Sequence, residues 1–273
     1  MKTLVMISNL NQINLNCDGI IIGIKGLSVN MPNYFNLDDL KDIDKEIFVS
    51  LNKNMHNCDL KNLEETLIKL NNYNIKGVIF YDMAILNMAK RLKLNYELIW
   101  NQCHMTTNYH TINVLSKYTN GTWVSNDITL REMNEIKNNT NTQLMITLFG
   151  YLPMFVSKRN LVKNYKKTFD IKDESEINYI YKEEKKYPLV DNELGTMVYT
   201  NFILNGLEEK LLLDFDYIVL NSFLIDDDKF SKVLELFNNV NKENVKKYEK
   251  ILSDMFNNLG KGFFYQETIY KVK

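Results

Sequence analysis

The chain has 273 residues, 45% of them hydrophobic, which supplies one large core but is long for a single domain unless the fold is a barrel. Lys and Arg total 33 against 34 Asp and Glu, a net charge of -1, so no global basic field attracts nucleic acid or an anionic membrane. No apolar run approaches the roughly 18 residues of a membrane span, and Met1–Ser8 is too short for a signal-peptide core; the expectation is a soluble, cytoplasmic chain.

The first strand is expected at Thr3–Ile7 and the second at Gly19–Ile24, with Cys17 between them. A third strand at Glu46–Leu51 precedes a helix over Leu60–Leu70, where Leu60, Leu63, Leu67 and Leu70 form one stripe. Strand Gly77–Tyr81, helix Met83–Leu92, strand Glu97–Asn101 and helix Thr107–Tyr118 follow. Strand Thr122–Ser125, helix Thr129–Lys137 and strand Leu144–Phe149 continue the rhythm, and Tyr217–Asn221 is the eighth strand. Asp59 and Asp82 stand where helix N-caps are wanted, and Asn126 or Asp127 serves the helix after the sixth strand.

Most of these strands are apolar at nearly every position, as in GIIIGI and VIFY, which suits a parallel sheet buried on both faces. Eight of them alternating with helices predict an α/β fold, a TIM-like (β/α)8 barrel built from residues 1–273 as one domain. A doubly wound open sheet is the competing fold, but no GxGxxG or GxxxxGK comes after the first strand. The rhythm breaks over residues 151–201, read as an insertion after the seventh strand that lies over the barrel mouth as a lid. It carries a basic stretch (Lys158, Arg159, Lys163, Lys166, Lys167), then an acidic one (Asp170, Asp173, Glu174, Glu176), then two short strands with a turn near Asn192–Gly195.

Barrels place their chemistry at the C-terminal strand ends. Asn52, Asn54 and His56 come after the third strand; Asn101, Gln102 and His104 come at the end of the fifth. His56 and His104 are the general acid or base candidates, and the amides are candidates for substrate contact or for tying loops together. Ser157 and Arg159 are the candidate anion contacts, since a guanidinium fork suits carboxylate or phosphate. Metal binding has little support: His56, Cys58 and Asp59 lack helical spacing, and Cys17, Cys58 and Cys103 form no CxxC. Cys103 beside His104 suggests a thiol–imidazole pair, but neighbours on an extended strand point apart. No cofactor is expected.

The seventh strand and the residues after it, QLMITLFGYLPMFVSKRNLVKNY, resemble the signature region of peptidase family U32, the collagenase-like peptidases. There a strand ending in His-Gly leads to a Cys-containing stretch closing Ser-Gly-Arg-Cys. Gly150, Ser157 and Arg159 match that pattern, whereas Phe149 replaces the histidine, Lys158 the second glycine, and Pro153 and Asn160 two cysteines. Gly195 and Thr196 match a second family segment in which Asn205 takes a cysteine place, and GIKGLSVN, SLNKNMHN and GFFYQETIYKV are softer likenesses. The resemblance implies a (β/α) barrel. It implies a peptidase, or kinship with members that hydroxylate transfer RNA or quinone precursors on an iron–sulfur cluster held by four cysteines. With the matched places lacking thiolates, a cluster-dependent hydroxylase is not expected.

The sequence leaves three functional readings. In the first, the chain is a hydrolase or peptidase of unknown substrate using His56 or His104 and a bound water, although no Ser-His-Asp order, HExxH or paired carboxylates stand at the strand ends. In the second, it is a non-catalytic binder of RNA or peptide that uses the Ser157–Lys167 stretch. In the third, it is an enzyme of unknown type acting on a small anionic ligand held by Arg159 and the strand-end amides.

Overall fold

The structure, a computed structural model, describes residues 1–41, 43–102, 104–173, 175 and 177–266. Strands β1 (Lys2–Met6), β2 (Gly19–Ile24) and β3 (Glu46–Leu51) lead to helix α1 (Leu60–Leu70). Then come β4 (Gly77–Phe80), α2 (Ala84–Ala89), β5 (Glu97–Trp100), α3 (Tyr109–Leu115), β6 (Gly121–Trp123) and α4 (Leu130–Asn138). Strand β7 (Gln143–Ser157) runs out of the barrel into α5 (Leu161–Thr168) and strands β8 (Ile177–Lys182), β9 (Lys185–Asn192) and β10 (Gly195–Asn205). Strand β11 (Tyr217–Asn221) returns to the barrel, and α6 (Asp227–Asn239) and α7 (Val245–Met255) come after it.

Strands β1–β7 and β11 form a closed, all-parallel barrel: β11 pairs with β1, Lys2 opposite Tyr217, and with β7, Tyr217 opposite Met145. The lumen is filled in layers from alternate strands, as the register of a barrel requires. Leu4, Phe48, Ile99 and Met145 come from β1, β3, β5 and β7; Ile21, Ile79, Trp123 and Val219 come from the strands between. One step towards the N-terminal end, Lys2 pairs with Glu46, and Tyr217 packs edge-on against Phe48 at 5.4 Å. The outward strand residues pack on the helices in a second, larger core that includes Leu63, Leu67 and Leu70 of the predicted α1 stripe.

The barrel matches the predicted one; the segment after Phe149 does not match its outline. The sequence predicts that β7 ends at Phe149. Instead β7 continues to Ser157 because β10 pairs with it antiparallel, from Asn205 opposite Phe149 to Thr196 opposite Ser157. Pro153 sits opposite Tyr199 beside a register shift, the kind of irregular place where a strand accommodates a missing N–H. Gly150 makes the exit possible: its φ is +113, and a Cβ there would lie 2.5 Å from the Asn221 carbonyl oxygen.

The predicted hairpin with its turn near Asn192–Gly195 is β9–β10, but β8 is a further strand paired with β9. The β8–β9 turn is Glu183–Glu184, with φ of 49 and 63. Such two-residue turns ordinarily carry Asn or Gly, so the residue types give no turn signal there. Helix α4 is capped by Thr129 and Glu132 in a capping box rather than by Asn126 or Asp127; Asn126 donates instead to the Thr147 carbonyl at 2.8 Å. Asp82 does cap α2, accepting from the Ala84 N–H at 2.9 Å, whereas Asp59 makes no cap bond and holds Lys53 at 3.0 Å. Among the described residues, no helix is long and apolar enough to cross a membrane.

Candidate functional site

The mouth of the barrel is filled by the chain's own side chains. From Gly195, period-two alternation along β10 sends Met197 and Tyr199 to one face, and both are buried against Phe223 in the loop after β11. Tyr199 stacks on Phe223 at 4.2 Å. The Met197 sulfur accepts from the Asn30 N–H at 3.3 Å and from the Tyr34 hydroxyl at 3.7 Å. Burial pushes the Tyr34 hydroxyl up to about 12, against the opposing bonds to the Met31 backbone and Asn192. Burial also raises Tyr199. Two loops at this rim adopt left-handed backbone at non-glycine residues, Asn30 (φ 55) and Leu224 (φ 56), the latter at a cost of about 1–2 kcal/mol.

None of Met197, Tyr199, Tyr34 and Phe223 is singled out by the sequence alone. The available signal is the alternation that starts at Gly195.

The amides at the strand ends are largely engaged with neighbouring loops. Asn52 accepts from the Val29 N–H and donates to the Val29 carbonyl, both at 2.8 Å, fixing the loop after β2. Asn101 has a partner of its own, its backbone N–H meets the Phe80 carbonyl at 2.8 Å, and the Gln102 carbonyl accepts from Met105 at 2.7 Å. His56 lies exposed in a turn whose backbone N–H meets Asp59 at 2.8 Å. His104 is 76% exposed, with Nδ1 3.8 Å from the Asp127 carboxylate. The two histidines stand on loops separated by β4. Cys103 lies outside the described residues.

The second group of candidates forms a built corner. Gly195 (φ +115) takes a backbone shape that side chains resist, and any Cβ would strike the Ser157 carbonyl oxygen at 1.9 Å. Thr196 accepts from the Leu161 N–H at 2.8 Å, and its hydroxyl lies 2.9 Å from the Arg159 carbonyl and 2.6 Å from Asp191. Asp191 accepts from the Lys163 N–H at 2.6 Å, so its carboxylate sits at the start of α5. The Ser157 hydroxyl accepts from the Arg159 N–H at 3.1 Å. Lys158 reaches the Asn54 carbonyl at 2.8 Å; the bond from the His56 N–H chiefly lowers the Asp59 carboxyl against its burial, with Lys53 and then Lys158 adding to it. The corner bearing Ser157 and Arg159 is thereby tied to the loop bearing Asn54 and His56, while Asn101, Gln102 and His104 belong to another loop.

A cleft of about 670 Å³ opens at the opposite, N-terminal end of the barrel, bordered by Glu46, Lys76, Tyr96 and Glu97. Two of its charge pairs span strands, Lys76 with Glu97 at 2.6 Å and Lys2 with Glu46, an arrangement that closes the barrel base. The working end is the other one.

Residues 12–207 match the sequence profile of peptidase family U32. The chain belongs to that family. Its relatives include "tRNA hydroxylation protein P2" of Bacillus subtilis, 26% identical over 82% of this chain and 81% of that protein. An "uncharacterized protease", MJ0090 of Methanocaldococcus jannaschii, is 26% identical over 56% of this chain and 40% of that protein. A solved structure titled as the U32 peptidase Mk0906 superposes with a TM-score of 0.52 over 81% of this chain and 92% of that one, at 13% identity, a likeness of fold.

The family's cluster ligands do not fit the residues of this U32 chain. Pro153 has no donor atom to offer. Asn160 holds Asp191 at 3.3 Å and the Asn192 carbonyl, and Asn205 donates to Glu249 at 2.5 Å while accepting from the Leu207 N–H at 3.2 Å. Asn160 adjoins Thr196, at the other end of β10 from Asn205, a span on the order of 25–30 Å at strand rise. The three places read from the sequence as one ligand set therefore do not converge. Among the described residues, no group of three or more His, Cys, Asp or Glu is placed to hold a metal ion.

Proposed function

We propose that this U32 chain binds transfer RNA through the α5 corner and serves RNA modification as an RNA-holding barrel, with no cluster chemistry of its own. The observation that carries the reading is the run Lys158–Lys167, which holds five cations and no acid. Helix α5 presents it at the surface, and Arg159, Lys163 and Lys167 are exposed and make no ion pair among the described residues. Lys166 is committed to Asp173 at 3.0 Å and Lys158 to Asn54. Three cations with no ion pair among the described residues, two on α5 and Arg159 just before it, suit neighbouring phosphates, and the guanidinium fork of Arg159 suits one phosphate in two-pronged fashion. Tyr165 and Phe169, exposed at 58% and 63%, add ring faces on which unpaired bases stack. The kinship with a protein described as a tRNA hydroxylation protein points the same way.

Peptide hydrolysis is the weaker reading because the acid–base candidates His56 and His104 are exposed on separate loops. In either reading the strand-end residues Asn52, Asn54, Asn101 and Gln102 with Ser157 and Arg159 are the contacts proposed for a ligand that reaches the mouth. A mobility-shift titration separates the two. Transfer RNA should bind more tightly than double-stranded DNA of equal charge, and the chain should leave unstructured peptides uncleaved. Equal binding of both nucleic acids, or peptide cleavage lost in His56→Ala or His104→Ala, would overturn the proposal.

A further inference from the structure

Strand β8 is the last strand of the capping sheet: it pairs with β9 on one side and, among the described residues, with no strand on the other. Its hydrogen-bonding phase is set by the turn. In a two-residue hairpin the flanking residues, Lys182 and Lys185, form a bonded pair, and bonded and non-bonded pairs then alternate. Tyr181–Lys186 and Tyr179–Pro188 are therefore non-bonded pairs, a phase in which the missing N–H of Pro188 breaks no bond to β8. Ile177, Tyr179 and Tyr181 consequently direct their N–H and C=O groups outward, away from β9. The strand that offers this free edge is also apolar and exposed: Ile177 41%, Tyr179 41%, Ile180 48% and Tyr181 70%. Folded proteins normally blunt such an edge with charges, proline or a cover, because it templates pairing with another chain.

We infer that β8 pairs antiparallel with β8 of a second copy of this chain about a two-fold axis. An antiparallel two-fold through Tyr179 sets each outward N–H against an outward C=O of the copy. It also places Ile177 opposite the partner's Tyr181 twice, a favourable aromatic–β-branched pair. The area is of the right size. Phe169 and Ile171, in the connection that leads into β8, are a further 63% and 44% exposed. With about 200 Å² for a fully exposed large side chain, these six residues offer on the order of 500–600 Å². A standard interface takes about 800 Å² from each partner, a little over half of it apolar. Phe169 is the one residue this inference shares with the RNA reading; the cations of that reading, Arg159, Lys163 and Lys167, lie on α5 and just before it.

Sedimentation equilibrium or light scattering on the full chain tests it. The expected species is a dimer of twice the 32.2 kDa chain mass. Tyr179→Pro removes an outward N–H without touching the β9 ladder and should give a monomer with an unchanged circular dichroism spectrum. Tyr181→Lys, at a 70% exposed position that costs the monomer little, should raise the dimer dissociation constant at least about tenfold, and it carries the test if the proline variant does not fold. A monomeric wild type, or a dimer that neither variant weakens, overturns the inference. A monomeric wild type whose RNA affinity falls in Tyr181→Lys would reassign the strand to RNA. Loss of RNA binding in α5 variants with the dimer intact would leave this inference standing.

Discussion

The barrel and the sheet that caps it use similar residues to opposite effect. In the barrel, GIIIGI and YIVLN are buried at every position, inside the lumen on one face and under helices on the other. In the cap, INYIYK of β8 has no buried residue, and its isoleucines and tyrosines face solvent. The barrel strands close on one another and leave no free edge, so their apolar content stabilises this chain alone. The cap ends in an open edge and a cationic helix, so its apolar and charged groups are available to something else. Apolar composition by itself does not separate the two roles; closure does.

The sharpest way to break that comparison is a matched pair of truncations. Phe48→Ala, within the lumen against Tyr217, should lower stability by about 3–5 kcal/mol in chemical denaturation. Tyr181→Ala should change it by no more than about 0.5 kcal/mol, measured at a concentration where the chain is monomeric. Similar losses at both would mean that the cap is core.

A somewhat smaller effect is expected at the anchor of the segment after α7. Lys261 bridges Glu209, which is fully buried, at 2.9 Å and Glu249 at 3.0 Å. Lys261→Met should cost about 2–3 kcal/mol, below the usual range for a broken buried pair because Lys261 itself reaches solvent. Replacing both Lys261 with Met and Glu209 with Gln should recover part of the loss; no recovery would reject the pairing as the cause.

The mouth should respond to alkali. Tyr34 has a folded pKa of about 12 against about 10 unfolded, so its neutral form favours the folded state. That contribution is complete below about pH 10 and is lost as pH rises through 12. Comparing wild type with Tyr34→Phe between pH 9 and pH 11.5 checks this: the difference in stability should shrink only at the alkaline end. A difference that is constant across the range would remove the titration argument.

The barrel is legible in the sequence because its signals are local. Apolar runs bounded by turns, the Leu60–Leu70 stripe and the eightfold alternation are all readable without knowing what touches what. The cap is only partly legible because its geometry is set by pairings distant in sequence. Nothing near Phe149 announces that β10 extends β7 to Ser157, and Glu183–Glu184 takes a turn shape its residue types do not favour. At the site, the resemblance picks out Ser157, Arg159, Gly195 and Thr196 as separate matches. The structure supplies their connection: Gly195 admits the Ser157 carbonyl, and Thr196 holds the Arg159–Leu161 backbone. The plug of Met197, Tyr199 and Phe223 escapes sequence reading because it joins β10 to the loop after β11, a contact between segments distant in sequence.

The central claim is that the α5 corner holds transfer RNA, and the salt dependence of binding tests it most directly. Each phosphate neutralised by a lysine or arginine adds about 0.7–0.9 to the slope of log affinity against log salt. The combined variant Arg159→Gln, Lys163→Gln, Lys167→Gln should lower that slope by about 2–3 relative to wild type, with the thermal transition unchanged because all three side chains are exposed. An unchanged slope and affinity in a folded variant would contradict the account and place the RNA surface, if there is one, away from α5.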